Sequence, residues 1–455
     1  MIRLLSLLRI IGIAGVIPVS TSLAEPTLAP LPISPLWKSE EFQKVLTGSY
    51  GIDSRIEPVI TVDEEEYLND AAELMAKGDR DAAISLFEGA SITQESPAML
   101  FTLANLQFEA GEAESAAETF RNAFARFPNF RDAHRNLAIS LIELEEYEEA
   151  QKHLIRAVEL GASDGLTLGM LGYCHAIDEN YQSSLQSYRL AQISMPKEVQ
   201  WKMGEAVALQ QTHQTVAAIA LYREILKQNP TDTMVWKNLA YALQQNEDET
   251  AAISAFEILE AFGAGGPSER LTLGHLYLAN DLSSAALHAY ANALKEPENL
   301  PSLTSIVSAL RFLGDREHWN KAEKLHALIL AAYPNADDAE LTRIGALIAF
   351  ENGDQDEAIA TIRELVENDP LDGQAIITLG RFHQTRKELV EAEMVLEQAA
   401  LLPEHAANAY LQLGRISVEK GEYQEAVERI EKSHDRNPRP SVTTYLEAVR
   451  KLVRD

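Results

Sequence analysis

Along most of the chain, apolar residues recur at combined steps of three and four, as in Leu137, Ile139, Leu141, Ile142 and Leu144, with polar and charged residues between them. That period predicts amphipathic helices with one buried face. The pattern breaks at short turns such as Gly78-Asp79 and Gly111-Glu112, which fold successive helices back as antiparallel hairpins. It breaks again at Pro128, Pro196, Pro230, Pro334, Pro370 and Pro438. All eleven prolines between residues 63 and 438 fall at such hairpin junctions, where a missing N–H costs least. No proline interrupts an expected helix interior.

A repeat of about 34 residues organises these hairpins. One series of small residues runs Ala71, Ala104, Ala138, Gly172, Ala206, Ala240, Gly274, Ala346, Gly380 and Gly414. Twelve residues after each stands a second: Ala83, Ala116, Ala150, Ser184, Ala218, Ala252, Ala286, Ala358, Ala392 and Ala426. Four further on, a bulky group follows in most repeats, as at Phe87, Phe120, Leu154, Tyr188, Tyr222, Phe256 and Tyr290. Small residues let two helix backbones approach closely, and the bulky group fills the hole beside them. The 72-residue gap between Gly274 and Ala346 is read as one longer repeat, with Val307 and Ala322 in the two small-residue places. Its five-residue excess is placed near Gly314–Trp319.

The segments Trp236-x-x-Leu239-Ala240, Ala252-x-x-x-Phe256 and Leu100-x-x-Leu103-Ala104, Ala116-x-x-x-Phe120, Ala123, Pro128 resemble the tetratricopeptide repeat family. The resemblance implies an all-α, right-handed superhelical solenoid of about eleven helix-turn-helix repeats over residues 63–438. A capping helix follows over 439–455. It further implies that the first helix of each repeat lines a concave groove for an extended or helical segment of a partner protein. Carried over repeat by repeat, the groove positions are Phe101, Asn105, Ile139, Tyr173, Met203, Val207 and Tyr241 in the N-terminal half. In the C-terminal half they are Arg311, Arg343, Arg381 and Arg415. Asn105 and Asn136 match two places of the family's clamp for acidic peptide C-termini, but Phe101 and Met170 replace its cations. The expectation is therefore a split groove: apolar anchors first, then a run of arginines that sets direction and specificity.

The first 24 residues read as a cleaved export signal: Arg3 and Arg9, an apolar run Ile10–Val19, then small residues before the Ala24/Glu25 bond. Residues 25–62 form a leader in which Pro26, Pro30, Pro32 and Pro35 oppose helix, followed by one possible short helix over Trp37–Leu46. The leader loosely resembles repeat proteins associated with TonB-type energy-transducing systems. Those readings point to a periplasmic scaffold in an envelope complex. The alternatives are an uncleaved inner-membrane anchor, or an accessory subunit of an envelope polysaccharide-modifying enzyme.

Charge narrows the partner class. With 39 Lys+Arg against 69 Asp+Glu, the net charge is −30, which repels phosphate backbones, so nucleic acid is not an expected partner. Against such a background, four arginines at inward places of the C-terminal repeats draw the eye. A single cysteine, Cys174, allows no internal disulfide and reads as a buried thiol. No phosphate-binding loop, nucleophile elbow or zinc-helix motif is present, and the eleven histidines show no metal-ligand spacing. The repeats also leave no separate catalytic core. A non-enzymatic protein-binding scaffold with no cofactor and no metal is expected.

Overall fold

The computed structural model describes residues 53–454, and every regular element among them is helical. The export signal and the short helix expected at Trp37–Leu46 lie outside the described residues. The contacts divide the chain at Ala264/Gly265 into two units.

The first unit holds six hairpins. They begin with α1 (Val62–Ala76) and α2 (Arg80–Gly89), α3 (Pro97–Glu109) and α4 (Ala113–Arg126), then α5 (Arg131–Glu143) and α6 (Tyr147–Glu159). The remaining three are α7 (Gly165–Ile177) with α8 (Tyr181–Ser194), α9 (Val199–Gln211) with α10 (Thr215–Gln228), and α11 (Thr233–Gln245) with α12 (Glu249–Ala261). In the second unit α13 (Pro267–Ala279) pairs with α14 (Ser283–Ala293), α15 (Leu303–Asp315) with α16 (Trp319–Ala332), and α17 (Ala339–Asn352) with α18 (Gln355–Asn368). Two further hairpins, α19 (Gly373–Thr385) with α20 (Leu389–Ala400) and α21 (Ala406–Lys420) with α22 (Tyr423–Arg436), precede the last helix α23 (Pro440–Arg454). The eleven hairpins and the final helix are the all-α repeat fold that the period predicts.

Local chemistry starts and stops these helices. The side chains of Thr61, Ser96, Asp164, Asp232, Ser302, Asp338 and Asp372 each accept a backbone N–H in the first turn of a first helix. Pro97 and Pro267 occupy the first helical position, where no N–H is needed. Every hairpin turns on one residue with positive φ. Glycine does so at Gly78, Gly111, Gly353 and Gly421, but Glu145, Glu179, His213, Glu247, Asp281, Glu317 and Lys387 take the same place in the others. Those seven side chains sit in a left-handed conformation that disfavours them.

The seam between paired helices is where sequence and packing meet. Eleven second-helix positions, from Ala83 through Ala150, Ser184 and Ala322 to Ala426, are 0% exposed. Across the seam a Cβ added at Gly274 would lie 2.2 Å from the Tyr290 ring, at Gly380 2.5 Å from Leu396, and at Gly414 2.5 Å from Ile430. The small residue and the bulky residue are thus one packing unit, repeated. At the end of the chain Val442, Tyr445, Leu446 and Val449 of α23 close over Ala426, Val427 and Ile430. That contact covers the apolar face the last hairpin would otherwise expose.

The long stretch between Gly274 and Ala346 is built differently from the expectation. It is two repeats of 36 residues, since first helices start at Pro267, Leu303 and Ala339. The turn Arg316–His318 is as short as the other hairpin turns; the extra residues lie between hairpins, at 294–302 and 333–338. Pro297 and Pro301 explain the first, because they stop α14 at Ala293 and delay α15 to Leu303. In this register Leu310, fully buried, and not Val307, corresponds to Gly274 and Ala346: each lies seven residues after its helix start.

Candidate functional site

In the first unit, most of the expected groove is closed. Phe101 is 0% exposed, with its ring 4.8 Å from Phe130 and 5.7 Å from Phe120. Ile139 is equally buried, on a helix whose residues from Asp132 to Ile142 are all buried. Tyr173 meets the edge of Tyr147 at 5.8 Å, and burial followed by the bond to Tyr147 raises its phenol above the usual range. Met203 is buried, and Asn105 accepts a hydrogen bond from Asn136 Nδ2 at 2.9 Å. Phe101, Ile139, Tyr173 and Met203 are therefore core residues and not open anchors. Their helices are too thoroughly covered to present them. Val207 and Tyr241 remain half-buried, Tyr241 lying edge-on to Phe256 at 5.3 Å.

Two features of this unit have no counterpart in the sequence patterns. Residues 53–57 run onto α5: Arg131 donates its backbone N–H to the Ile56 carbonyl at 3.3 Å, and its guanidinium lies 3.6 Å from the buried Glu57 carboxylate. His134 and His153 face each other, Nδ1 to Nδ1 at 2.9 Å, and His134 Nε2 bonds the Pro128 carbonyl at 3.0 Å. If His134 donates from Nε2, its Nδ1 accepts, so His153 is the donor within the pair. Burial, then the neighbouring His134, lowers His153 to about 4. Cys174 is buried among apolar groups, which push its thiol up to about 12 and leave it a poor nucleophile.

The second unit is open where the first is closed. Arg311 and Arg381 are exposed and Arg415 is half-buried, each on a first helix of a successive part of the stack. Among the described residues no carboxylate lies within 4 Å of any of these three. Arg343 differs: it is buried and holds Glu340 with two bonds of 2.7 and 2.8 Å, with Thr378 Oγ1 at 3.5 Å. Arg415 reaches only Gln412, at 3.4 Å.

These groups lie close enough to feel each other's charge. Loss of surrounding water raises Asp315, while Arg311, Arg343 and Arg381 pull it back. Arg381 is lowered first by the protein walls around it, then by Arg415 and Arg343, against Glu351 and Asp315. Burial also lowers Arg415, with Tyr445 opposing. Like charges near one another with no carboxylate in direct contact favour an anion. Arg311 and Asp315 stand one helical turn apart, so Asp315 was visible as a neighbour in the sequence; the misplaced register of that repeat hid its relation to Arg343 and Arg381.

Among the described residues no group of three or more His, Cys, Asp or Glu is placed to hold a metal ion. No described helix is long and apolar enough to cross a membrane. Family models described as "Tetratricopeptide repeat" match residues 70–129, 107–166, 203–267 and 407–439.

The chain carries tetratricopeptide repeats.

It is 28% identical over 185 residues to a tetratricopeptide repeat-containing protein, trd-1, of Caenorhabditis elegans, covering 39% of this chain and 24% of that one. The chain thus spans about a quarter of that relative's length. Among solved structures, a tetratricopeptide repeat protein from Parabacteroides merdae aligns at 16% identity with a TM-score of 0.38, over 58% of this chain and 98% of that one. Yeast Tom70 aligns at 14% identity with a TM-score of 0.36, over 86% and 96%. The tetratricopeptide repeat fold supports a protein–protein interaction scaffold.

Proposed function

We propose that this protein is an exported scaffold of the cell envelope whose C-terminal unit binds an acidic segment of a partner protein along Arg311, Arg381 and Arg415. The observation that carries this reading is three arginines on first helices of the second unit, none with a carboxylate within 4 Å among the described residues, in a chain whose net charge is −30. The protein's own acids outnumber its cations, yet none closes on these three.

Exposed ion pairs contribute only about 0–1 kcal/mol each, far less than the roughly 8 kcal/mol of micromolar binding. Charge therefore selects the partner and its orientation, while contacts along the rest of the segment supply most of the affinity. The apolar part of that contact does not fall on Phe101, Ile139, Tyr173 or Met203. The pattern of residues 1–24, read as an export signal, supports an envelope location, and the leader's likeness to proteins of TonB-type systems supports an energy-transducing complex as the setting.

The test is affinity purification from envelope extract with the wild-type mature chain and with an R311Q/R381Q/R415Q variant. A protein retained by the first and lost by the second is expected. Equal recovery of every retained protein by both chains would refute the arginine site.

A further inference from the structure

We infer that the outer face of α20 docks a basic amphipathic helix of a partner protein. The inference stands apart from the arginines proposed above, because it concerns a second helix and a different kind of ligand.

The observation is a stripe. Val390 and Met394 on α20, and Leu401 directly after it, are 66%, 62% and 82% exposed. Leu401 keeps helical backbone angles, so the three side chains follow at steps of four and seven along one face of a single helix. From Val390 to Leu401 that face is about 17 Å long.

The repeat does not ask for it. In the same places, 34 residues earlier, α18 holds Asp356, Ala360 and Glu367; 34 residues later, α22 holds Gln424, Glu428 and Asp435. All six are exposed. The face points to water in each of these hairpins, and α20 alone of the three sets large apolar groups on it. Single exposed apolar residues are ordinary, but a continuous stripe of them marks a contact surface.

Charge selects the occupant. Glu391 borders the stripe on one side and Glu397 on the other; both are exposed, and neither lies within 4 Å of a cation among the described residues. Further round the helix Glu393 is already matched by Lys420 and by Arg429, the latter at 2.8 Å. Lys387, in the turn before α20, is paired with Glu419. A second copy of a chain of net charge −30 would bring like charge to like, and an anionic lipid surface would do the same. A partner with Lys or Arg beside its apolar residues answers both free acids.

The stripe also selects the partner's conformation. An extended segment must find partners for its backbone N–H and C=O groups, which apolar side chains do not supply. Every regular element among the described residues is helical, so no sheet edge is on offer. A helix bonds its own backbone and needs only an apolar face and a charged border, which α20 matches.

The experiment uses the full mature chain and fluorescent peptides of about 18 residues, long enough to hold a helix when bound. Anisotropy is read in about 150 mM salt, where charge reaches only about 8 Å. One peptide sets leucines at steps of four and seven with lysines on both sides. A second permutes the same residues and so has no stripe, and a third replaces its lysines by glutamates. The first should bind at least tenfold more tightly than the other two. V390Q/M394Q/L401Q should reduce it to the level of the permuted peptide, with a circular-dichroism melt like that of the wild type. E391K/E397K, which spares the apolar side chains, should weaken the lysine peptide and favour the glutamate one. R311Q/R381Q/R415Q should bind the lysine peptide no more weakly than the wild type, which separates this face from the arginine site. No binding, or equal binding to the wild type and V390Q/M394Q/L401Q, overturns the inference. A dimer in sedimentation velocity that V390Q/M394Q/L401Q abolishes would assign the face to a second copy and overturn it too. Flotation with phosphatidylglycerol vesicles, lost in the same variant, would overturn it in favour of a membrane.

Discussion

The two units share a repeat and differ in what their first helices do with it. In the first unit α5 is buried from Asp132 to Ile142, and Phe101, Ile139, Tyr173 and Met203 are sealed in packing. In the second, the corresponding faces of α15, α19 and α21 carry arginines with no carboxylate within 4 Å among the described residues. A position on the inner helix is thus a site only if its neighbours leave it open. Repeat register alone does not say which.

The comparison breaks most sharply at Phe101. As a core residue wedged between Phe120 and Phe130, its replacement by Ala should destabilise the first unit by about 3–5 kcal/mol, measured by urea unfolding. A groove anchor would instead lose affinity and keep stability, so an unchanged unfolding midpoint in F101A would return it to the groove. The same reasoning makes R311Q and R381Q nearly silent in stability, within about 0.5 kcal/mol, as exposed substitutions usually are.

Next in size is the helix seam, which both units share. Ala150 in one and Ala358 in the other are 0% exposed, and Leu at either should overpack the seam by about 1–3 kcal/mol. Thermal melts identical to the wild type for both variants would mean that the seam is not packed as described.

Acid should probe the two units through their half-buried histidines. His153 in the first and His275 in the second are each held at about 4, mainly by burial, against about 6.5 in an unfolded chain. Between those values the unfolded chain binds protons that the folded one does not, so stability rises with pH there. It is complete above about 6.5 and is lost progressively as the pH falls toward about 4. His275 shares a 3.0 Å bond with the Tyr290 hydroxyl. Denaturation series at pH 5 and pH 7 should show a smaller difference in H153Q and in H275Q than in the wild type. An unaltered difference in both variants would mean that other groups drive the acid response.

The smallest effect lies at the turns. Glu145 and Glu179 sit at φ of 61° and 55°, and glycine relieves that conformation. E145G and E179G should each raise stability by a few tenths to about 1 kcal/mol, a sign opposite to that of most substitutions. Chemical denaturation at fixed pH resolves it; a loss of stability in both variants would contradict the role assigned to these turns.

Much of the fold was legible because its signals are local and redundant. Ala83 through Ala426 mark the seam, the prolines mark the junctions, and each repeat confirms its neighbours. Where redundancy failed, so did the reading: Pro297 and Pro301 lengthen one loop, the 72 residues divide evenly where one longer repeat was expected, and Leu310 holds the place expected of Val307. The site was less legible for a different reason. Ile139 and Arg381 follow from the same register rule, yet one is fully buried and the other exposed. Their difference arises from what packs around each helix, since Ile139 lies within the apolar core of the first unit, and that is a tertiary property. The left-handed turns at Glu145 and Lys387 were hidden too, because only glycine announces such a conformation in sequence.

The account's central claim is that the open arginines of the second unit select an acidic partner. Its most direct test is the salt dependence of binding, measured with a labelled acidic peptide on the wild type and on R311Q/R381Q/R415Q. Affinity of the wild type should fall steadily between 50 and 300 mM salt, as screening shortens the reach of the guanidinium charges, on the order of 10 Å at 0.1 M. The triple variant should bind more weakly at low salt and change little across the range. Equal affinity and equal salt dependence in the two proteins would contradict the claim.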